Sequence, residues 1–281
     1  MAMSRESPGP IFTAHLFPKL ERRLIELLKS LGSDDWDKPT VSPKWKVRDV
    51  AAHLLDTQLR ALSFARDGHR VRKRGFRSPA SLGSFINRLN QRGVRTFRQL
   101  SPRVLISVME VASRQLSRYH QSLDPFAAAP FGVSWAGEAV SANWFNTARE
   151  LTERWHHQQQ IRLAVDRPGI MTREFYYPVL DCFMRALPYS YRKISGRPGT
   201  FVEIVVSGKC GGRWYLYRDP EAWRLTASRV GRRVSRVEIP QEIAWRIFTR
   251  GIDRRAAVSQ VQVTGERSVG LHVLSTAAIV G

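Results

Sequence analysis

The chain has 281 residues, 43% of them hydrophobic, enough for a folded protein of one large or two ordinary domains with a real core. It has no run of about eighteen apolar residues to cross a bilayer, and residues 1–8 lack the apolar stretch of a secretory signal, so a cytoplasmic protein without a membrane partner is expected. The formal charge is +21, with 37 Arg against 8 Lys, and such a surplus favours anionic partners: nucleic acid, a membrane surface or a small acidic substrate. The arginines run through the whole chain and are densest from Arg60 to Arg103, including Arg70-Val71-Arg72-Lys73-Arg74. No zinc finger, RNP-type strand or convincing helix-turn-helix accompanies them, which weighs against nucleic acid. Cys182 and Cys210 are too few for a disulfide framework or a paired zinc knuckle, although one bridge between them stays open. Sulfur chemistry would need an outside thiol.

Residues 1–10 carry two prolines and a glycine and read as a loose leader. From Ile11 to Leu31, Phe17, Leu20, Leu24, Leu27, Leu28 and Leu31 recur at steps of three and four, and Gly32 supplies a stop, so a core-facing helix is expected. Residues 34–45 read as an irregular connection holding Trp36 and Trp45. A second helix begins near Val47, with Val47, Val50, Ala51, Leu54, Gln58 and Leu62 on one stripe and Asp49 in the first turn, where negative charge is favoured. His53 lies on the flank of that stripe. Asp67 to Pro79 is expected to be a loop, and Leu82, Phe85, Ile86 and Leu89 a short helix. Ser101 and Pro102 suit an N-cap and first helical position for a helix reaching Leu123.

After a Pro/Gly/Ala-rich crossover at 125–137, a helix is expected over about Val140 to Val165. Trp144, Ala148, Leu151 and Trp155 form its apolar stripe. Asn146, Glu150, Glu153, His157 and Gln160 fall nearly opposite, and periodicity alone describes a solvated polar face. Glu150 and Arg154 have ordinary ion-pair spacing. Phe175 to Leu187 is helix-like, and beyond the Gly/Pro-rich residues 195–199 the texture turns to strands at Thr200–Ser207 and Arg213–Arg218, with Gly211-Gly212 as a hairpin turn. Val234–Ile239 and Val258–Thr264 add strands, Pro240–Thr249 a helix with Pro240 at its first position, and Arg267–Val280 a terminal helix. The division is a helical part at 10–165, a connecting helical segment at 166–190 and a small α/β part at 191–281.

The chemistry is concentrated in Glu153-Arg154-Trp155-His156-His157. Four residues apart in a helix, Glu153 and His157 project from one face about one turn apart and can share a cation. His53 could complete the set from a distant helix, leaving Zn²⁺ with a position open to water or substrate. His156 is the second-choice ligand. The plainer reading has His53 hydrogen-bonded at a helix interface and the Glu/His pair in solvent.

Two stretches carry a resemblance. Trp45-Lys46-Val47-Arg48-Asp49-Val50-Ala51-Ala52-His53-Leu54 resembles the tryptophan, helix start and histidine-leucine pair of mycothiol-dependent maleylpyruvate isomerases, and Glu153 to Arg162 is similar to their Glu-x-x-x-His helix. The resemblance implies an α+β protein, a DinB-like four-helix bundle followed by a smaller mixed α/β domain, with a divalent metal, normally zinc, on His53, Glu153 and His157. It also implies mycothiol or another low-molecular-weight thiol as cofactor, and an arginine from the smaller domain near the substrate, for which Arg246 and Arg250 are the candidates. Ile239 to Arg250 and Val261 to Glu266 are similar to that domain's helix and closing strand. Relatives often carry an aspartate soon after the metal-binding histidine, where this chain has Gln158-Gln159-Gln160, so an orienting group is missing from the pattern. The function expected is a metal-dependent, thiol-using isomerase or transferase acting on a small, electrophilic, anionic substrate. The alternatives are a metal-dependent hydrolase on the same scaffold and a non-catalytic, basic nucleic-acid-binding protein.

Overall fold

The computed structural model describes residues 6–69 and 79–279, with side chains from residue 83 onward in the second stretch. The Arg70 to Arg74 run, Leu82 as a packing residue, most of the expected loop before Pro79 and the start of the leader lie outside the described residues. The chain forms two compact units. One, helical, comprises Phe12–Phe131 and Ala142–Met171; the other, built on a sheet, comprises the segment ending at Ile11 with Gly132–Ser141 and Thr172–Ile279. Together they make an α+β protein, a four-helix bundle and a smaller mixed α/β part.

The helical unit contains α1 (Phe17–Lys29), α2 (Val47–Ala61), α3 (Pro79–Phe97), α4 (Pro102–Ser122) and α5 (Asn143–Ala164). Helices α1, α2, α4 and α5 pack as a bundle and α3 lies against α2. Helix α1 starts later than the apolar period suggests because Pro18 is tolerated only in a first turn; a 3₁₀ turn, Ala14–Leu16, precedes it. Helix α2 starts as expected, and the Asp49 carboxylate accepts the Lys46 N–H at 3.0 Å. It runs into a π-helical turn, Leu62–Arg66. Helix α3 is longer than the short helix expected. It approaches α2 closely at Gly93, where a Cβ would stand 2.1 Å from the Asp56 carboxyl carbon. Arg60 binds both Asp56 (2.9 Å) and Asn90 (2.8 Å) across that contact. Ser101 caps α4 by accepting the Val104 N–H at 3.4 Å. Helix α5 opens at Asn143 rather than Val140, because the Asn143 and Trp144 N–H groups bond to the Ala127 and Pro125 carbonyls at 2.9 and 2.8 Å.

Of the expected polar face of α5, Asn146, His157 and Gln160 are buried and only Glu150 and Glu153 keep partial exposure; Arg154, His156, Gln158, Gln159, Trp155 and Ile161 are buried as well. Nor does Arg154 answer Glu150, which pairs with its neighbour Arg149. Arg154 reaches Glu21 of α1 instead, Nε to Oε1 3.8 Å, and its Nη1 donates to Leu54 O at 2.9 Å. Glu21 Oε2 also accepts from Gln58 Nε2 and Ser113 Oγ, both at 2.8 Å. Burial raises the Glu21 pKa, against the pull of Arg154 and these two donors. One carboxylate thus gathers partners from α2, α4 and α5.

In the sheet unit, α6 (Arg173–Met184) and α7 (Leu187–Ser190) precede the strands β1 (Thr200–Ser207), β2 (Gly212–Arg218), β3 (Trp223–Thr226), β4 (Arg232–Pro240) and β5 (Gln262–Gly265), with α8 (Gln241–Phe248), α9 (Arg254–Val258) and α10 (Arg267–Leu271) among and after them. The order is β3-β2-β1-β4-β5, with β1 antiparallel to β2 and parallel to β4. The central β1 is buried from Phe201 to Val206, in keeping with its nearly unbroken apolar run. Three expectations are corrected here. The four-residue β3 was not foreseen; Pro240 caps α8 from outside; and Val258 closes α9 while β5 starts only at Gln262. The terminal helix stops at Leu271 and continues as a 3₁₀ turn, His272–Ser275. Neither cysteine forms a disulfide, and both are buried. No described helix is long and apolar enough to cross a membrane.

His120 of α4 is 3% exposed and stacks on Phe17, ring centroids 4.2 Å apart. Burial pushes its pKa down to about 4, helped by Arg154 and Arg149 and opposed by Glu150. As the pH falls, the unfolded chain takes up this proton first, so the histidine's contribution is complete above about 6.5 and is lost towards 4, an interval worth on the order of 3 kcal/mol. Urea unfolding of wild type and His120→Leu between pH 4 and 7 should give a flatter profile for the variant by about that amount; parallel profiles would refute the assignment.

Candidate metal centre

The site is assembled by α2, α5 and the turn leading into α2. That turn is closed by Thr40, whose N–H and Oγ1 both donate to Trp45 O, at 3.1 and 2.8 Å. The Trp45 indole comes to lie 4.7 Å, centroid to centroid, from the His53 ring and 5.9 Å from that of His157. Trp45, read from sequence as part of an irregular connection, therefore forms a wall of the site. His53, 5% exposed, stands edge-on to His157 at 4.6 Å. Two residues 104 positions apart in sequence are brought into ring contact.

Among the described residues, Glu153, His156 and His157 form a group whose ligand atoms all lie within 4.8 Å of one another. His157 Nε2 is 3.7 Å and His156 Nδ1 4.0 Å from Glu153 Oε2. His156, ranked second because adjacent helical residues diverge, is nonetheless only 4.0 Å from His157 between ring centroids. A signal for it existed, since Glu153 and His156 have the i, i+3 spacing that also shares a helix face. Glu153 keeps 27% of its side chain exposed and is the opening of the cluster to solvent.

Hydrogen bonds assign the imidazole tautomers. His156 Nδ1 is 3.0 Å from Thr152 O, and a carbonyl only accepts, so Nδ1 carries the proton. His157 Nδ1 donates likewise to Gln160 Oε1 at 2.9 Å. Gln160 thus supplies the orienting acceptor that the glutamine run had been read as lacking; spacing held the clue, because Gln160 stands three residues beyond His157. In both rings Nε2 keeps its lone pair. Burial is the main cause holding the pKa values of His53 and His157 well below the ordinary value, with Arg60 and Arg154 adding to it at His53 and His156 and His53 adding to it at His157. His156 is lowered by burial too, with Glu153 and the Thr152 carbonyl opposing.

The donor set fits a divalent cation. It consists of neutral imidazoles and one carboxylate, the combination that suits Zn²⁺. His53 Nδ1 is buried and meets no hydrogen-bond partner among the described residues. An unsatisfied buried polar atom costs about 1–3 kcal/mol, a cost that coordination by this ring would offset. A cavity of about 570 Å³ lies elsewhere in the helical unit, between Leu59 and Leu62 on one side and Val108 and Val111 on the other. Its charged lining residues, Arg66 and Asp67, are paired to each other at 2.6 Å.

The two candidate arginines are in the sheet unit. Arg246 of α8 donates through Nε to Gly251 O at 3.0 Å, closing its own helix end. Arg250 follows α8 with φ +55°, a left-handed conformation rare for a residue with a side chain, and lines a pocket of about 220 Å³ with Arg254, Ser275 and Thr276.

Comparison with known proteins bears on this region. The family described as mycothiol maleylpyruvate isomerase N-terminal domain matches residues 17–162, a span that includes Trp45, His53, Glu153, His156, His157 and Gln160. Two uncharacterized proteins of Mycobacterium tuberculosis, one from strain CDC 1551 / Oshkosh and one from strain ATCC 25618 / H37Rv, are each 28% identical over 236 residues, covering 79% of this chain and 82% of their own. Among solved structures, a histidine-to-alanine mutant of the mycothiol-dependent maleylpyruvate isomerase is 11% identical with a TM-score of 0.47, covering 92% of both chains. The same isomerase without that label is 11% identical with a TM-score of 0.45, covering 83% of this chain and 86% of that one. The family match extends over more than half of the sequence and takes in both halves of the histidine cluster, and the chain therefore belongs to the mycothiol maleylpyruvate isomerase N-terminal domain family.

Proposed function

We propose that the protein is a metal-dependent, thiol-using isomerase or transferase acting on a small, electrophilic, anionic substrate, with His53, Glu153 and His157 as the metal ligands. The observation that carries the reading is the edge-on contact of the His53 ring with that of His157, which stands one turn from Glu153, within the family's matched region. When bound, a divalent cation supplies Lewis acidity at an open position, and a small thiol supplies a nucleophile that adds reversibly to an electron-poor double bond.

The chain's own residues prepare that chemistry. His157 presents Nε2 because Gln160 holds the proton on Nδ1. His53 is taken as the third ligand because its buried Nδ1 is unpartnered; His156, whose Nδ1 donates to Thr152 O and whose Nε2 is free to bind, is the competing donor. Trp45 excludes water from one side of the two rings. Arg250 and Arg246 are assigned to substrate carboxylates, a task for which a guanidinium fork is suited. Arg250 is the better candidate, since Arg246 is tied to Gly251.

Metal analysis tests the ligand set. Wild type should carry about one zinc per chain after loading, and His53→Ala, Glu153→Ala and His157→Ala should lose it while folded. His156→Ala should keep it; the reverse pattern, loss with His156→Ala and retention with His53→Ala, would move the ion to the Glu153, His156, His157 group. Gln160→Leu should weaken zinc binding about tenfold in a chelator competition, as removal of an outer-shell partner does. Turnover of maleylpyruvate and related unsaturated acids should require an added thiol; hydrolysis of a substrate with no thiol present would make the protein a hydrolase instead.

A further inference from the structure

Glu153 and His157 stand on α5 and His53 on α2, so the distance between the two halves of the site depends on how these helices are held against each other. Apolar ridges pack helices with generous scatter in angle, whereas a productive metal site tolerates only about 0.5 Å of error. We infer that Arg154 is the residue that sets this register, with Glu21 as its fixed counter-ion; the inference rests on the metal reading above. Arg154 is 2% exposed and directly follows Glu153. Its Nη1 donates at 2.9 Å to Leu54 O, the carbonyl directly after His53. A single planar guanidinium therefore links the residue beside one ligand to the peptide beside the other.

A buried positive charge so close to a cation site would ordinarily repel the ion. Here it is answered, because Glu21 Oε1 lies 3.8 Å from Arg154 Nε and the Glu21 side chain is only 4% exposed. Glu21 is in turn fixed by Gln58 of α2 and Ser113 of α4. Helix α2 is consequently held twice, at Leu54 and one turn later at Gln58. Arg60, the other cation acting on His53, is paired with Asp56 at 2.8 Å. Arg154 Nη1 supplies one directional hydrogen bond, to Leu54 O, and Glu21 balances the guanidinium charge at ion-pair distance; the shorter reach and different shape of a lysine ammonium do not reproduce that geometry.

The test separates positioning from stability. Glu21→Met/Arg154→Met removes both buried charges together, a replacement that folded proteins commonly tolerate, and Arg154→Lys is a milder second variant. Both are expected to keep a metal-free melting temperature near that of wild type. The double variant should bind zinc about 10- to 100-fold more weakly in chelator competition, and Arg154→Lys about tenfold. The visible absorption of the Co²⁺-loaded double variant should shift as its coordination geometry changes. A folded variant of either kind with the wild-type zinc constant and Co²⁺ spectrum would overturn the positioning role and leave the metal reading intact. Failure of wild type itself to bind zinc would overturn both.

Discussion

Burying α5 takes Arg154, His156, His157 and Gln158 to Gln160 out of water together, and each of these groups must then find a partner inside the bundle. Most of what is distinctive in the helical unit answers that demand. Arg154 is met by Glu21 and Leu54 O, His156 by Thr152 O, and His157 by Gln160. The same dry surroundings keep the imidazoles neutral, so their lone pairs are available. The groups left over include Arg154 Nε and Nη2, both polar atoms of Gln158, Gln159 Oε1 and, on α2, His53 Nδ1.

Arginine is used throughout as building material, which accounts for part of the charge surplus. Arg167 donates to Ser30 O, the C-cap of α1, at 2.7 Å. Arg162 closes the turn after α5 through Arg167 O and also holds Arg23 O, both at 3.0 Å. Arg185 fixes the carbonyls of Pro8 and Gly9, and Arg233 and Arg213 flank the buried Glu203 on the sheet. A guanidinium with five donors serves carbonyls at helix ends better than lysine can, and these positions need no external anion. Gln160 reflects a similar economy: an amide oxygen orients His157 without placing another negative charge in the core.

The parts legible in the sequence are those set by local chemistry. Val202, Ile204, Val205 and Val206 read as a buried strand because branched side chains on both faces leave no solvated side, and β1 spans the expected residues. Ser101-Pro102 reads as a helix start because a hydroxyl and a missing N–H suit the first turn, and α4 begins there. The Glu153/His157 spacing projects both groups from one turn of α5 wherever that helix packs. The short β3 was not legible, since four residues carry too little period to stand out from a loop.

By itself, then, the sequence determined the helices of the bundle, the central strands of the sheet and the spacing of the candidate ligands on α5, because each follows from residues within a few positions of one another. Only the tertiary structure decided that most of the polar face of α5 is buried and that Glu153 stays partly exposed, since helical period reports which residues share a face and not what that face meets. It also decided Arg154's partner: spacing favoured Glu150, but Glu150 is taken by Arg149, and folding delivers Glu21 from α1. The contact of His53 with His157 belongs to the same class, because no local rule relates two residues on separate helices until the core between them has packed.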